Sequence, residues 1–203
     1  MAPRISDEEK EARREHLLEA ALECFSSKGY YASTVDDIVR YSNLSKGSVY
    51  NYFKSKEEIF IHLLQKKRQE MVEELTIKLA KIDSPLEKLK YWIREDIPYS
   101  LEKKKFMRVH VEFWLYSTDS PEVQHILVER FDDMFGLTKE IIEQGQNIGE
   151  IKQEIDAEAA ASMFWSLHDG IWLHAVIGYD ETKLEARIKE MEAVLITYLI
   201  ANA

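Results

Sequence analysis

Hydroxyl, amino and phenol groups follow one another closely between residues 45 and 56, where the chain reads Ser-Lys-Gly-Ser-Val-Tyr-Asn-Tyr-Phe-Lys-Ser-Lys. A lysine and a serine can donate hydrogen bonds to base edges, and a glycine between them lets a backbone approach closely. A tyrosine can offer its hydroxyl to a phosphate while its ring packs on the protein. The residues with this chemistry are Ser45, Lys46, Gly47, Ser48, Tyr50, Asn51, Tyr52 and Lys56. A run of this kind taken alone is more often a solvated face, so the elements that carry it decide its meaning.

Two short helices joined by a tight turn are predicted to present this run. Thr34, with Asp37 three residues later, forms a capping signal for the first helix. Ser33 or Thr34 can also offer a hydroxyl to a phosphate at that helix start. The segment 42–44, Ser-Asn-Leu, is typical of a turn, and Ser45 can cap the second helix. Two helices with this connection form the helix-turn-helix pattern.

The charge distribution favours the same part of the chain. The net charge of the 203 residues is −10, which by itself argues against phosphate binding. Residues 1–56, however, hold nine basic and nine acidic side chains, so the whole excess of acid lies in residues 57–203. If the protein binds nucleic acid, we therefore expect the N-terminal part to do so.

The remainder of the chain is predicted to be helical, because apolar residues recur at helical spacing and glycine and proline are scarce. The predicted elements are a first helix over 11–28, a long helix capped by Ser55 and Glu58 that ends near Ile82, a helix from Ser84-Pro85 that Pro98 kinks or interrupts, a break at 118–121, a long helix over 122–144, a helix from Asp156 to about Ile177, and a last helix capped by Thr182 and Glu185. We expect a loosely built loop at Gly145, Asn147 and Gly149.

Several classes of protein find no support in the sequence. It contains no glycine-rich phosphate loop, nucleophile elbow or HExxH motif, so we predict no enzyme, no catalytic residue and no cofactor. His110 and Glu112, two residues apart, face different sides of a helix, so no metal site is predicted. The single cysteine, the absence of a signal peptide and the absence of an apolar run near ~20 residues indicate a cytoplasmic protein without membrane contact.

The stretch Thr34 to Glu58, TVDDIVRYSNLSKGSVYNYFKSKEE, resembles the helix-turn-helix of the TetR family of bacterial transcriptional regulators. The resemblance covers about residues 11–60 and is most specific at 45–56. It implies an all-α fold with an N-terminal three-helix DNA-binding head over 1–56 and a C-terminal effector-binding and dimerisation domain over 57–203. A long connecting helix would join the two parts.

The family resemblance also implies an effector pocket between C-terminal helices. Trp165, Asp169 and Trp172, at steps of four and three residues, could hold a cation through ring faces and charge. The stretch HDGIWLHA around them is weakly similar to choline-responsive members of the family. The candidate ligand-binding residues are Trp92, His110, Phe113, Trp114, Trp165, His168, Asp169 and Trp172. For most aromatics in this region, packing at helix interfaces is the alternative interpretation.

A two-fold dimer through a four-helix bundle is the third implication of the resemblance. The last two predicted helices are apolar around much of their circumference and need a partner. The candidate interface residues are Phe164, Ile171, Leu184, Ile188, Met191, Leu195 and Tyr198. A core within a single chain is the alternative interpretation of the same stripes.

The sequence as a whole favours a homodimeric transcriptional repressor that binds a palindromic double-stranded operator and is released by a small hydrophobic or cationic effector. The alternative is a helical protein whose main role is to bind a small molecule or a protein partner, with a head that no longer serves DNA.

Overall fold

The computed structural model describes residues 6–96 and 101–200, and over these residues it is built from α-helices. The helices are α1 (Asp7–Lys28), α2 (Val35–Ser42), α3 (Lys46–Tyr52), α4 (Lys56–Leu79), α5 (Pro85–Asp96), α6 (Leu101–Ser117), α7 (Pro121–Asn147), α8 (Ala157–Val176) and α9 (Leu184–Leu199). The predicted all-α class is confirmed. The predicted kink at Pro98 lies outside the described residues.

The predicted helix-turn-helix forms through local caps. The hydroxyl of Thr34 accepts the N–H of Asp37, and the Asp37 carboxylate accepts the N–H of Thr34, which makes a complete capping box at the start of α2. Asn43 ends α2 in the left-handed conformation with φ 55°, and the Ser45 hydroxyl accepts the N–H of Ser48 to start α3. These bonds depend only on neighbouring residues, which is why the sequence predicts them.

The helices form two compact units. The first unit contains residues 6–69 and 105–123, so it includes the predicted head together with part of α4 and most of α6. Its core is closed by aromatic rings: Phe60 lies 5.5 Å from Phe25, 4.2 Å from Tyr30 and 6.0 Å from Phe113, measured between ring centroids. Buried aromatic pairs of this kind stabilise a small core beyond the area they bury.

The second unit contains residues 70–96, 101–104 and 124–200. Its core lies where α5, α7, α8 and α9 bring apolar side chains together, among them Trp92, Met134, Phe164 and Leu195. The Trp165 indole N–H, buried in this core, donates to the Thr138 hydroxyl at 2.9 Å. A buried polar group without a partner costs free energy, so this bond helps α7 and α8 pack.

The segment after α7 is an organised connector, which corrects the prediction of a loosely built loop. The Glu150 carboxylate accepts hydrogen bonds from the Ser84 hydroxyl at 2.7 Å and from the Leu86 N–H at 3.1 Å, at the start of α5. The Lys152 N–H donates to the Leu199 carbonyl at 2.9 Å, at the end of α9. Glycine spacing could not reveal these contacts, because every partner is remote in sequence.

The start of α9 also differs from the predicted capping box of Thr182 and Glu185. The Thr182 hydroxyl donates to the Asp180 carboxylate at 2.7 Å instead of capping the helix. A short 3-10 turn over Glu181–Lys183 precedes α9, and the N-cap position Lys183 makes no side-chain capping bond. Asp180, just before this turn, adopts a positive φ of 45°, which is uncommon for a residue other than glycine.

None of the helices in the described part of the chain has the length and apolar character needed to cross a membrane.

Candidate nucleic-acid interface and effector region

The recognition-helix candidate α3 has one buried face and one exposed face. Val49 and the adjoining Phe53 are buried in the head, whereas Lys46, Gly47, Tyr50 and Asn51 are exposed. The exposed residues include the first turn of the helix, which is the part that meets base edges when a helix enters the major groove. The exposed face of α3 therefore carries Lys46, Tyr50 and Asn51 of the predicted donors, while Ser48 and Tyr52 are half-buried.

Lys46 is paired with an acidic residue that the sequence prediction does not include. Its Nζ donates to Oδ1 of Asp36 at 2.8 Å, and both side chains are more than half exposed. The hydrogen bond to Asp36 raises the pKa of Lys46 above its usual value. The pair joins the first turn of α2 to the first turn of α3.

The two hydroxyl residues at the start of α2 differ in accessibility. Ser33 is buried, and its hydroxyl donates to the Gly29 carbonyl at 2.6 Å. Thr34 is exposed, and its hydroxyl both accepts the Asp37 N–H and donates to the Asp37 carboxylate at 2.8 Å. Thr34 is therefore accessible, and a phosphate contact would need its hydroxyl proton to turn from Asp37 to the phosphate, whereas the Ser33 hydroxyl is directed into the head.

Lys56 uses its ammonium group inside the head. Nζ donates to the carbonyls of Tyr30 at 2.7 Å and Ser33 at 2.9 Å, and it lies 4.3 Å from the centroid of the Tyr30 ring. Burial lowers the pKa of Lys56. The lysine thus fastens the start of α4 to the turn between α1 and α2, and one of its three donors is left for another acceptor.

Helix α6 contacts the turn between α1 and α2, and also the end of α1 and the start of α4. The Glu112 carboxylate accepts the backbone N–H of Tyr30, and Arg108 donates to the Ser26 carbonyl at 3.1 Å near the end of α1. The Tyr116 hydroxyl donates to the Glu57 carboxylate at 2.8 Å, in the first turn of α4. Sequence reasoning missed these contacts, because no local pattern indicates which remote backbone group a glutamate will reach.

Asp37 is the charged centre of the head. It is 4% exposed, and its carboxylate accepts hydrogen bonds from Lys28, Thr34 and Arg40. The bond from Lys28, followed by those from Thr34, holds the pKa of Asp37 well below its usual range. Asp37 is therefore structural, although it is adjacent to the exposed Asp36.

The predicted ligand-binding residues are divided between the two units. Trp92, Trp165, His168, Asp169 and Trp172 belong to the second unit. The Trp92 and Trp165 rings meet edge to face, with their centroids 5.3 Å apart. The His168 ring lies 4.9 Å from that of Trp165 and 6.4 Å from that of Trp172, again between centroids. His168 Nδ1 lies 3.2 Å from Asp169 Oδ1. The structure thus brings this part of the predicted set together as one series of rings.

His110, Phe113 and Trp114 belong to the first unit and lie on α6. The His110 ring is 5.9 Å from Phe113 and 5.4 Å from Trp114. Phe113 is fully buried against Phe60 in the core of the head, so it acts as a packing residue there.

A surface groove of about 450 Å³ lies between α7 and α8 in the second unit. Its lining consists of Phe131, Asp132, Phe135, Gly136, Lys139, Glu158 and Ala161. None of the predicted ligand-binding residues belongs to this lining, and the Lys139 ammonium lies 3.4 Å from the Glu158 carboxylate across it.

The predicted interface residues lie mainly in the core of the second unit of the single chain. The buried members are Phe164, Leu184, Ile188, Met191 and Leu195, which pack in the core of the second unit. Ile171 is half-buried and Tyr198 is 40% exposed, so these two remain accessible. An apolar stripe at helical spacing predicts burial but does not identify the surface that buries it.

The described residues contain no group of three or more histidine, cysteine or carboxylate side chains that could hold a metal ion.

Comparison with known proteins identifies the family. Residues 17–63 match the family described as bacterial regulatory proteins of the tetR family. Residues 85–199, more than half of the chain, match the C-terminal part of BetI-type transcriptional repressors.

Individual relatives agree with this match. The HTH-type transcriptional regulator YfiR of Bacillus subtilis is 28% identical over 191 residues, which are 91% of this chain and 90% of the relative. A solved transcriptional regulator from Saccharomonospora viridis in complex with choline has a TM-score of 0.87 at 20% identity, covering 95% of this chain and 100% of that chain. The solved structure of FadR from Bacillus subtilis in complex with stearoyl-CoA has a TM-score of 0.72 at 22% identity, and the match covers 91% of this chain and 98% of that chain. The chain belongs to the TetR family and is a DNA-binding transcriptional regulator rather than an enzyme.

Proposed function

We propose that this regulator is a cytoplasmic homodimeric repressor that binds a palindromic operator and releases it when a small hydrophobic or cationic effector binds the C-terminal domain. The observation that carries the DNA part is the exposed first turn of α3, with Lys46 and Gly47 accessible beside a buried Val49. Two such helices about one helical turn apart, near 34 Å, would enter successive major grooves. The direct base contacts would come from Lys46 and Ser48, and the phosphate contacts from Thr34, Tyr50, Tyr52 and Lys56.

The ring series on α8 supports the proposal of a cationic effector. Aromatic faces with a nearby carboxylate attract a cation, and Asp169 lies next to His168 in that series. Residues 57–203 carry the whole net charge of −10, which favours a cation over an anion. The related Saccharomonospora viridis regulator holds choline, a quaternary ammonium compound, whereas the Bacillus subtilis FadR holds stearoyl-CoA.

Helix α6 is the element through which we expect an effector to change DNA binding. It carries His110 and Trp114 of the predicted ligand set, and it also carries Glu112, which bonds the turn before α2. An effector that favours a different position of α6 would shift the turn and with it the head. By linkage, DNA would then lower the affinity for the effector by the same factor.

The proposed dimer uses the outer faces of α8 and α9. The exposed apolar side chains on and beside these helices include Leu167, Leu173, Ile177, Val194 and Tyr198. Apolar side chains clustered on a surface mark interfaces between proteins. This exposed face, together with Ile171, is the interface that we propose. Of the residues predicted from the sequence it keeps Ile171 and Tyr198, and it leaves out the buried ones.

Two adjacent residues test the dimer. Val194 is 57% exposed and Leu195 is 1% exposed, although they are neighbours on α9. We expect Val194→Glu to remain folded but to sediment as a monomer, because the charge meets a second chain. Leu195→Glu should unfold the second unit, because it buries a charge in the core. Dimeric mass for a folded Val194→Glu protein would refute the proposed face.

DNA selection tests operator binding, and titration with an effector tests the release of the operator. Purified protein is used to select binding sites from a random duplex library, and the selected operator is then titrated with choline or stearoyl-CoA while tryptophan emission is recorded. We expect choline to change the emission and to release the DNA, and Asp169→Asn to weaken this response while leaving the operator affinity unchanged. Release by stearoyl-CoA alone would overturn the cationic effector, and the absence of any selected sequence would overturn the operator-binding function.

A further inference from the structure

Two adjacent aspartates at the start of α2 have separate roles. Asp37 forms the capping box with Thr34 and is buried. Asp36 takes no part in that capping box, and its carboxylate instead accepts a hydrogen bond from Lys46 at 2.8 Å. Its side chain is 62% exposed and stands beside the exposed first turn of the recognition helix. A carboxylate therefore lies among the groups that would face DNA.

A carboxylate at this position opposes binding to DNA in general. Phosphates repel it, and non-specific affinity depends on attraction to phosphates. The ion pair does not fix the two groups in place, because both side chains are more than half exposed and water screens their attraction. Both side chains can therefore turn towards a base pair that offers them partners.

A G·C pair offers matching partners to this Lys-Asp pair. In the major groove guanine presents the acceptors O6 and N7, and cytosine presents the N4 amino donor. O6 and N4 are joined by a Watson–Crick hydrogen bond, so they lie about 2.9 Å apart, close to the separation of the Lys46 ammonium and the Asp36 carboxylate. A lysine can reach both acceptors of guanine, whereas the thymine O4 acceptor stands next to a methyl group.

We propose that Asp36 is a specificity-determining residue, which together with Lys46 selects one G·C pair in each half of the operator and weakens binding to other DNA. This inference rests on the proposed operator-binding function. On a matching site the Asp36 carboxylate accepts from cytosine N4, while Lys46 donates to guanine. At an A·T pair adenine N6 also offers a donor to the carboxylate, but Lys46 then meets the single thymine acceptor O4 beside a methyl group instead of the two acceptors of guanine. Where no base donor is in reach, the carboxylate competes with the DNA for Lys46.

The test compares Asp36→Asn with Glu19→Gln in the full-length protein. Glu19 is an exposed residue of α1, so its variant removes the same unit of charge from the head without changing the α2–α3 pair. Binding sites are selected with each protein, and affinities for the selected operator and for random duplex are measured at one salt concentration. Circular dichroism confirms that each variant is folded.

We expect wild type and Glu19→Gln to select an invariant G·C pair that Asp36→Asn and Lys46→Ala no longer require. Changing that pair to A·T should weaken wild type by about 5- to 100-fold. It should weaken folded Asp36→Asn by a clearly smaller factor than wild type, because only the Lys46 contact to guanine then remains, while Asp36→Asn binds random duplex more tightly than Glu19→Gln does. If folded Asp36→Asn keeps the base preference and the random-duplex affinity of Glu19→Gln, the inference is wrong while the operator function stands. If wild type selects no sequence at all, the proposed function itself fails.

Discussion

The carboxylate of Glu112 accepts a hydrogen bond from the backbone N–H of Tyr30, and this contact joins α6 to the turn between α1 and α2. Its oxygen also lies 2.9 Å from the place that a Cβ would occupy on Gly29, so the turn approaches the carboxylate closely. Gly29 has a φ of 85°, a conformation that glycine adopts at little cost. The position of the turn, and of α2 after it, therefore depends on a residue about eighty positions further along the chain.

Glu112→Ala should destabilise the protein. The variant removes the acceptor of a partly buried N–H, and a hydrogen bond to a charged group contributes about 1.5–3 kcal/mol. We expect the free energy of unfolding in urea to fall by about that amount and the operator affinity to fall with it. Glu143→Ala, at an exposed position on α7, serves as the control and should change stability by less than about 0.5 kcal/mol. Equal stability of the two variants would mean that the contact does not support the turn.

Lys56→Met and Lys54→Met should separate a structural lysine from an ordinary surface lysine. Two donors of Lys56 bond the carbonyls of Tyr30 and Ser33, whereas Lys54 is exposed. We expect Lys56→Met to lower the free energy of unfolding by about 1–3 kcal/mol, because those carbonyls lose a charged donor. Lys54→Met should leave stability unchanged.

The salt dependence of operator binding is a second measurement that compares the Lys56→Met and Lys54→Met variants. A phosphate contact through the remaining donor of Lys56 predicts that the slope of log affinity against log salt falls by about one unit in its variant. Unfolding energies that do not differ between the two lysine variants would contradict the structural role of Lys56.

Local capping explains which parts of the fold the sequence can predict. Thr34 and Ser45 bond residues three positions away, so the boundaries of α2 and α3 follow from neighbouring residue types alone. Thr182 has the same local pattern with Glu185, yet its hydroxyl bonds Asp180 and a 3-10 turn forms. There the reversal of the chain between α8 and α9 overrides the local signal.

Remote contacts explain what the sequence could not supply in the candidate site. The donors of α3 were predictable because a short amphipathic helix must expose one face. Asp36 and Glu112 were not, because their partners Lys46 and Tyr30 are fixed by the packing of different helices. Leu195 shows the same limit in the core: its apolar stripe predicts burial, and only the fold shows that its own chain buries it.

Gly47→Ala should change stability and DNA binding in opposite directions. No atom lies within 4 Å of the place that a Cβ would occupy at Gly47, and the residue is in the helix α3. Alanine is favoured over glycine in a helix by about 0.5–1 kcal/mol, so the variant should be slightly more stable. Operator affinity should nevertheless fall, because the added methyl group keeps the backbone away from the DNA.

The matched control is Gly136→Ala. Gly136 lies within α7 and also has no atom within 4 Å of a Cβ position. It should gain a similar amount of stability without any loss of DNA binding. Unaltered operator affinity in Gly47→Ala would show that the recognition helix does not approach DNA closely at this residue.

His62 should make the stability of the head depend on pH in the range below neutrality. Its Nδ1 lies 2.9 Å from the Arg14 guanidinium, and its ring lies 5.5 Å from that of Phe53. A guanidinium only donates, so Nδ1 must accept, and the neutral ring carries its proton on Nε2. Burial, together with the charge of Arg14, lowers the pKa of His62 below its usual value.

The direction of the pH effect follows from that lowered pKa. Because the folded state binds the His62 proton less readily than the unfolded state does, the unfolded state gains protons first as the pH falls. The contribution of neutral His62 to the free energy of unfolding is therefore fully present above the pKa that histidine has in the unfolded chain, about 6.5. This contribution is lost as the pH falls through that value towards the lower pKa of His62 in the folded protein. We expect the free energy of unfolding to decrease between pH 7.5 and pH 5, and His62→Gln to reduce this decrease because glutamine does not titrate. His174→Gln, at an exposed histidine of α8 outside the head, is the control for replacing a histidine. Unfolding curves in urea at several pH values measure all three proteins, and an equal pH dependence in wild type and His62→Gln would contradict the role of the Arg14–His62 contact.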